Sequence, residues 1–468
     1  MRIIQTFWTA DFDPLNYSFG WLRPEHNLMS WALSCLSIRE HYDEVVLYTD
    51  ERGKHILIDL LHLPYSEVNV AYDKNLCLPQ HWAYAKIKTY SVQTKPFIHI
   101  DADIYLPCPI SEEIIDADLI TQNEEKGTEY YRQMMNSLIQ ESNLIELPLY
   151  MRNNFIQDDS LASHNMGLFG GNNLTYIQAY CEEAINLYNT NRTTCSNGNF
   201  NLLFEQILFA YKAKKEKWSV KTIFPHVYKD NGYTANEFCQ LDNYEHKRCF
   251  HLLGGHKRNR NLTASLEEIL ITRYPDYYKR IVELFPYIIQ RGVGNNIICI
   301  PTMNDDLPIQ SYIDFLNKTE LEWSKLSWED LFEVEKGRLN GKMLSLEENR
   351  LKVDILIYRN PYLRCFDVPA SWNETELQTI RKRLLANADV PVERIAIIPT
   401  LTSERRKEYI LHELESQIIG LLGKQPMRIS DVLNRLTSSS EEMRTLWINE
   451  IRILLHEGFL TTTTNTIH

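Results

Sequence analysis

The sequence has nine cysteines but no Cys-x-x-Cys pair. That removes the spacing signature of zinc ribbons and dithiol redox sites, and an odd count argues against a disulfide framework. The start, Met1-Arg2-Ile3-Ile4-Gln5-Thr6, has no long apolar stretch, so no secretory signal is expected. No apolar run approaches the length that spans a bilayer. Together these absences point to a reducing, cytoplasmic home. Basic excess is also missing. The net charge is −13, which disfavours generic binding to nucleic acid or anionic membranes. No internal repeat at a fixed period is visible, and the terminal threonine run is the one low-complexity tract.

What is present is ordinary globular composition, with 44% hydrophobic and 24% charged residues over 468 positions. A chain of this length folds as two or three domains and needs no staple to hold its core. Ile3 to Trp8 reads as a first buried strand. Trp21 to His41 reads as a helix, with Leu28, Trp31, Ala32, Cys35 and Ile38 on one stripe. Strands at Glu44 to Tyr48 and Val68 to Val70 alternate with helices around His55 to Leu63 and His81 to Val92. This alternation predicts an α/β domain with a parallel sheet covered on both faces.

The next strand carries the most informative residues. Phe97, Ile98 and Ile100 are apolar, and Asp101 and Asp103 follow two residues apart. In extended geometry the two carboxylates share a face, and they repel unless a cation sits between them. A carboxylate pair at the carboxyl end of a core strand suits a divalent metal. It also suits a strand end capped by solvated aspartates. Far along the chain stands His251-x-x-Gly254-x-x-Lys257. A neutral imidazole is a third ligand for a manganese-like ion. Glycine lets backbone approach phosphate oxygens, and an ammonium offsets charge on a diphosphate. Alone, this second stretch also reads as a polar surface loop.

In order, Asp101-x-Asp103 behind an apolar strand, Asn165-x-Gly167 and His251-x-x-Gly254-x-x-Lys257 resemble the metal-dependent GT-A glycosyltransferases. The resemblance is strongest to the retaining group that includes glycogenin and bacterial lipopolysaccharide galactosyl- and glucosyltransferases. It covers about residues 1–260. The group's last motif usually continues Pro-Trp, whereas here Arg258-Asn259 follow, so the resemblance is one of fold rather than of specificity. It implies a Rossmann-like GT-A domain that moves a sugar from a nucleotide-diphosphate donor, a UDP-sugar above all, to an acceptor hydroxyl with retention. It also implies a cofactor, Mn2+ or Mg2+, held by Asp101, Asp103 and His251, with Gly254 and Lys257 on the diphosphate.

Further candidates rest on position and on that resemblance. Thr6, Trp8, Thr9 and Asp50 close the first two strands, at the end where a base and ribose bind. Trp8 reads equally well as plain core. Lys86, on the helix before the aspartates, is set against the donor or on a solvated helix face. Asn165 and Gly167 lie beside the transferred sugar. Glu205 and Gln206 are placed near the acceptor, where a buried carboxylate orients a hydroxyl. Residues 123–163 read as an irregular polar segment and a candidate lid.

The expected domains are 1–290 for the GT-A unit, 291–400 for a small α/β region and 401–468 for a helical, winged-helix-like module, beginning with a helix at Arg405 to Leu422. Five Arg/Lys face five Asp/Glu between Lys424 and Leu460, so this module has no basic recognition face. The expected partners are a nucleotide sugar and a glycan, lipid-linked glycan or peptide acceptor, not nucleic acid. Two rivals stay open. One is a nucleotidyl- or phosphoryl-transfer enzyme, which lacks its Gly-rich, basic signature after Thr6. The other is a non-catalytic nucleotide-sugar-binding or regulatory protein.

Overall fold

The computed structural model describes residues 1–126, 129–142, 147–151, 161–229, 239, 241, 244, 249–285, 309–346, 351–402, 406–423, 425–436 and 441–462. The chain divides into two compact units, one formed by Met1–Leu270 with Asp276–Ile281 and the other by Ile271–Pro275 with Val282–His468.

The first unit is built on one sheet. β1 (Arg2–Phe7), β2 (Val45–Thr49), β3 (Glu67–Val70) and β4 (Phe97–Ile100) run parallel in the order β3-β2-β1-β4. Helices Pro24–Arg39, Glu51–Lys54 with its continuation to Leu60, and Ala83–Ser91 make the crossovers. Neighbouring strand residues go to opposite faces. Ile3, Val45 and Ile98 pack in one core, while Ile4, Val46 and Phe97 pack in another. Every residue of β2 is buried, which accounts for its unbroken apolar run. Beyond β4 the chain forms β5 (Ile104–Tyr105), β6 (Ile120–Lys126) and β7 (Ala162–Gly171). β7 is antiparallel to both β4 and β6, so the sheet is mixed rather than wholly parallel. β8 (Lys221–Thr222) and β9 (Tyr228–Lys229) lie parallel to β6. β10 (Phe250–His251) pairs antiparallel with β5, outside the main sheet.

The stretch expected to be irregular between 123 and 163 is largely regular where it is described. β6 runs to Lys126, a helix spans Glu129–Ser142, and β7 begins at Ala162. Tyr131, Met134, Met135 and Leu138 recur at helical spacing and are buried, a stripe hidden among polar neighbours. Residues 127–128, 143–146 and 152–160 of the candidate lid lie outside the described residues.

The second unit holds helices Gln310–Trp323 and Trp328–Leu346 and two three-stranded sheets. β11 (Leu356–Arg359) is the middle strand of one. β12 (Arg364–Asp367), β13 (Arg394–Pro399) and β14 (Arg406–Leu411) form the other, antiparallel throughout. Helix Glu374–Arg383 starts on a capping box of Asn373 and Glu376, which satisfies its free N–H groups. The single helix expected over 405–422 is instead strand β14 followed by helix Glu413–Leu421. β14 buries Ile410 and Leu411 against β13, and that pairing overrides local helix preference. β15 (Met427–Arg428) and β16 (Leu460–Thr462) flank β11, with helices Ile429–Leu436 and Glu441–Glu457 between them in sequence. No described helix is long and apolar enough to cross a membrane.

Candidate functional site

Asp101 and Asp103 do not continue β4 in extended form. β4 ends at Ile100, and Asp101 to Asp103 form a turn closed by Ile104 N donating to Asp101 O at 3.1 Å. The expectation of two carboxylates on one strand face is therefore corrected. The turn sends the two side chains to different partners.

A polar ladder holds the turn in place. Helix Pro24–Arg39 is buried on every side from Glu25 to Ile38, and Ser30, Ser34 and Ser37 recur along it at helical spacing. Ser30 Oγ donates to Ala102 O at 2.7 Å and meets the Tyr105 hydroxyl at 2.8 Å. Ser34 Oγ donates to Asp101 O at 3.4 Å, and Ser37 Oγ accepts from Leu106 N at 3.1 Å. Gln5, a polar residue in apolar β1, donates to Ser34 Oγ and to Ile100 O. Sequence reading missed these residues. Their signal was three serines at helical spacing inside a helix with no polar face, where buried hydroxyls need partners.

Asp101 turns toward Lys86. The Lys86 ammonium lies 3.0 and 3.1 Å from its two oxygens, 2.6 Å from Glu205 Oε1 and 3.2 Å from Met166 O. Lys86 and Glu205 are buried, so neither is the solvated helix-surface residue that was the other possibility. Burial pushes the Glu205 carboxyl up to about 7, helped by Asp101 and opposed by Lys86. Burial also raises Asp101, and Lys86 works against it. The Lys86 ammonium stays above its usual range because the two carboxylates outweigh burial. Glu205 reaches this position from a π-helical segment, Leu203–Ile207. Gln206 is less buried, with its side-chain amide 3.2 Å from the Tyr131 hydroxyl, whose one hydrogen goes to Glu125.

Asp103 turns the other way. Its Oδ2 is 2.5 Å from Lys257 Nζ, and its Oδ1 is 3.4 Å from His251 Nε2. The Asp103 carboxyl is buried, which alone would raise it; Lys257 and His251 hold it well below the usual carboxylate range. The β5–β10 ladder creates this meeting by placing Ile104 opposite His251 and Tyr105 opposite Phe250. His251 Nδ1 lies 2.6 Å from Gln122 Oε1, while Gln122 Nε2 donates to Asn123 Oδ1. The amide orientation thus places a ring hydrogen on Nδ1, which fixes the ring with Nε2 toward Asp103. Gln122 stands where the β6–β7 register shifts, between Thr121 and Asn123, an irregularity of the kind that re-aims a side chain.

Asn165 Oδ1 accepts from Gly167 N at 3.0 Å, and Gly167 O accepts from Asp101 N at 2.8 Å. Gly254 opens a short 3-10 turn to Arg258 at φ +46°, and no described residue fills the place where a side chain would stand. The early-strand candidates do other work. Thr6 donates to Thr89 Oγ1, and Trp8 is buried with its indole N–H on Asp73 O at 2.9 Å. Asp50 takes both the N–H and hydroxyl of Thr9 on one oxygen and caps Gly53 N with the other. The Thr9–Asp50 pair ties the first two strand ends together.

The donor set can be weighed for a divalent ion. Among the described residues, no group of three His, Cys, Asp or Glu side chains converges on a single point. The reason is visible in the ion pairs, since lysines draw Asp101 and Asp103 apart. At Asp103 the set nevertheless fits a cation. Oδ1 is buried without a hydrogen-bond partner, and it lies 3.4 Å from Nε2 of a ring oriented by Gln122.

The family of unknown function DUF6734 matches residues 1–284. No curated protein matches the chain. Among solved structures, the chain is similar to the crystal structure of mouse xyloside xylosyltransferase 1 in its apo form. The identity is 12% over 53% of this chain and 96% of that one, with a TM-score of 0.27.

Proposed function

The chain belongs to this family of unknown function, DUF6734, and we propose that its first unit is a metal-dependent glycosyltransferase. The donor in this reading is a nucleotide-diphosphate sugar, a UDP-sugar first among them. The acceptor is a hydroxyl, and retention of configuration follows the resemblance to the glycogenin-like group. One observation carries the reading. Asp101-x-Asp103 and His251-x-x-Gly254-x-x-Lys257, distant in sequence, meet through β5 and β10, with Asp103 in contact with both His251 and Lys257.

Asp103 and His251 hold a Mn2+ or Mg2+ ion in this reading, with Asp101 beside them. When bound, the ion acts as a Lewis acid on the leaving diphosphate, so no protein acid is required for that group. Lys257 adds positive charge where negative charge builds, and the open backbone at Gly254 admits phosphate oxygens. Lys86 and Glu205 fix the turn from behind. In this reading Glu205 and Gln206 remain the candidates for the acceptor side, Gln206 being the less buried of the two.

The test is a thermal-shift panel with Mn2+ and UDP-, GDP- and CMP-sugars on wild type and Asp103→Ala. A ligand that binds the folded state raises the midpoint by mass action. The expected result is a Mn2+-dependent shift with one nucleotide class that disappears in the variant. Equal behaviour of both proteins with every donor would remove the donor site and favour a non-catalytic role.

A further inference from the structure

The two lysines of the site are held in different ways. Lys86 is locked, with a side chain 5% exposed and an ammonium shared among Asp101, Glu205 and Met166 O. Lys257 has a side chain 22% exposed and, among the described residues, one carboxylate partner, Asp103, with its ammonium 5.8 Å from the centre of the Trp21 ring. Its backbone is held where Leu22 N donates to Lys257 O at 3.1 Å, and the backbone of Asp103 is held where Leu252 N donates to Asp103 O at 3.0 Å. Among the described residues, no atom comes within 4 Å of where a Cβ would stand at the preceding Gly254 and Gly255. A flexible lysine stem on a fixed backbone can therefore move its charge without moving the fold.

We infer that Lys257 is a resident counter-ion that gates the cation position on Asp103. It occupies that carboxylate in the free protein and leaves it for the diphosphate when metal and nucleotide enter together. This inference rests on the proposed donor site and adds a coupling to it. Two cations cannot share the buried Asp103 carboxylate without repulsion, so the ammonium competes with a divalent ion. A diphosphate relieves that competition by offering the ammonium a better anion. Metal and diphosphate thus raise each other's affinity through Lys257 as well as through direct coordination, and by linkage the coupling is reciprocal.

The consequence has an unusual sign, because removing a cation from a binding site should improve metal binding and harm nucleotide binding. Free Mn2+ is followed by electron paramagnetic resonance during titration of the full chain, with and without UDP. Wild type is expected to bind Mn2+ weakly alone and more tightly with UDP. Lys257→Met is expected to bind Mn2+ alone about tenfold more tightly, the scale of one charge-assisted contact, while UDP improves it less than in wild type. Lys257→Arg keeps the charge and should follow wild type, and Asp103→Asn should lose Mn2+ under both conditions. Lys257→Gln repeats the test if the Met variant does not fold with an unchanged unfolding midpoint. Equal or weaker Mn2+ binding by the neutral variants overturns the gate while leaving the donor site standing. If wild type and neutral variants bind no Mn2+ with or without UDP, the gate and the donor site fall together.

Discussion

Gly167 stands against the His251 ring so closely that a Cβ built there lies 2.6 Å from His251 Cε1 and 2.9 Å from Gln122 Oε1. Ile104 Cδ1 closes the third side at 3.0 Å. The glycine in the Asn-x-Gly stretch is therefore fixed by a ring on another strand, not by its own backbone angle. Gly167→Ala is expected to displace the His251–Gln122 pair, at a cost of about 1–3 kcal/mol from overpacking. Urea unfolding measures the cost. Metal titration should show a weakened site at denaturant concentrations where the fold persists, and unchanged stability would refute the packing argument.

Lys86 separates the buried carboxylate of Glu205 from the partly exposed one of Asp101. Lys86→Met leaves Asp101 and Glu205 facing each other without their shared cation, and breaking a buried pair this way costs about 3–5 kcal/mol. The double variant Lys86→Met/Glu205→Gln removes one of the stranded charges and should recover part of the loss. A double variant no more stable than Lys86→Met alone would show that the three groups do not act as one cluster.

In the second unit, Glu408 accepts from Arg383 at two oxygens, from Tyr312 at 2.7 Å and from Arg406 at 2.7 Å. Burial raises its carboxyl, but the two guanidinium groups outweigh this and hold it at about 2, against an ordinary value of 4.5. A depressed acid contributes stability that is complete above the unfolded value and lost as pH falls toward the folded one. The window is therefore from 4.5 down to about 2, and at about 1.4 kcal/mol per unit the contribution has a ceiling of about 3 kcal/mol. Wild type should lose stability relative to Glu408→Gln across that window. Parallel acid titration curves for the two proteins would contradict it.

The serine ladder makes a fourth prediction. Ser30→Ala removes the donor to Ala102 O and the partner of Tyr105, at a cost of about 1–3 kcal/mol for buried groups left unsatisfied. Its effect on the turn should exceed its effect on the sheet. The measurement is amide hydrogen exchange, with faster exchange expected at Ile104 than in β1 or β2. Uniform acceleration across the sheet would make Ser30 an ordinary core residue.

Much of the strand–helix alternation in the first unit was legible because each strand is a short apolar run and the crossovers are close to it. The site was legible where chemistry rests on residue type, as at Asp101, Asp103, His251 and Lys257. Geometry between those residues was not. Extended spacing places Asp101 and Asp103 on one face, but the turn after Ile100 and its three serines override that spacing. Asp50 and Thr9 look like ligand contacts at strand ends, yet they satisfy each other, a pairing across two strands that no single stretch of sequence displays. The helix Glu129–Ser142 was obscured because its buried Tyr131, Met134, Met135 and Leu138 are set among polar side chains.

The two-residue ladder between β5 and β10 has a kinetic meaning. Tyr105 and Phe250 are joined across a long span of chain, and closing such a loop before contacts reward it is slow. The β1–β4 framework can assemble from nearer neighbours, so the charged centre is expected to be a late event in folding. The same ladder is short enough to open by itself. A chain can then keep its sheet, and pass every test of secondary structure, while its His251 and Lys257 are parted from Asp103.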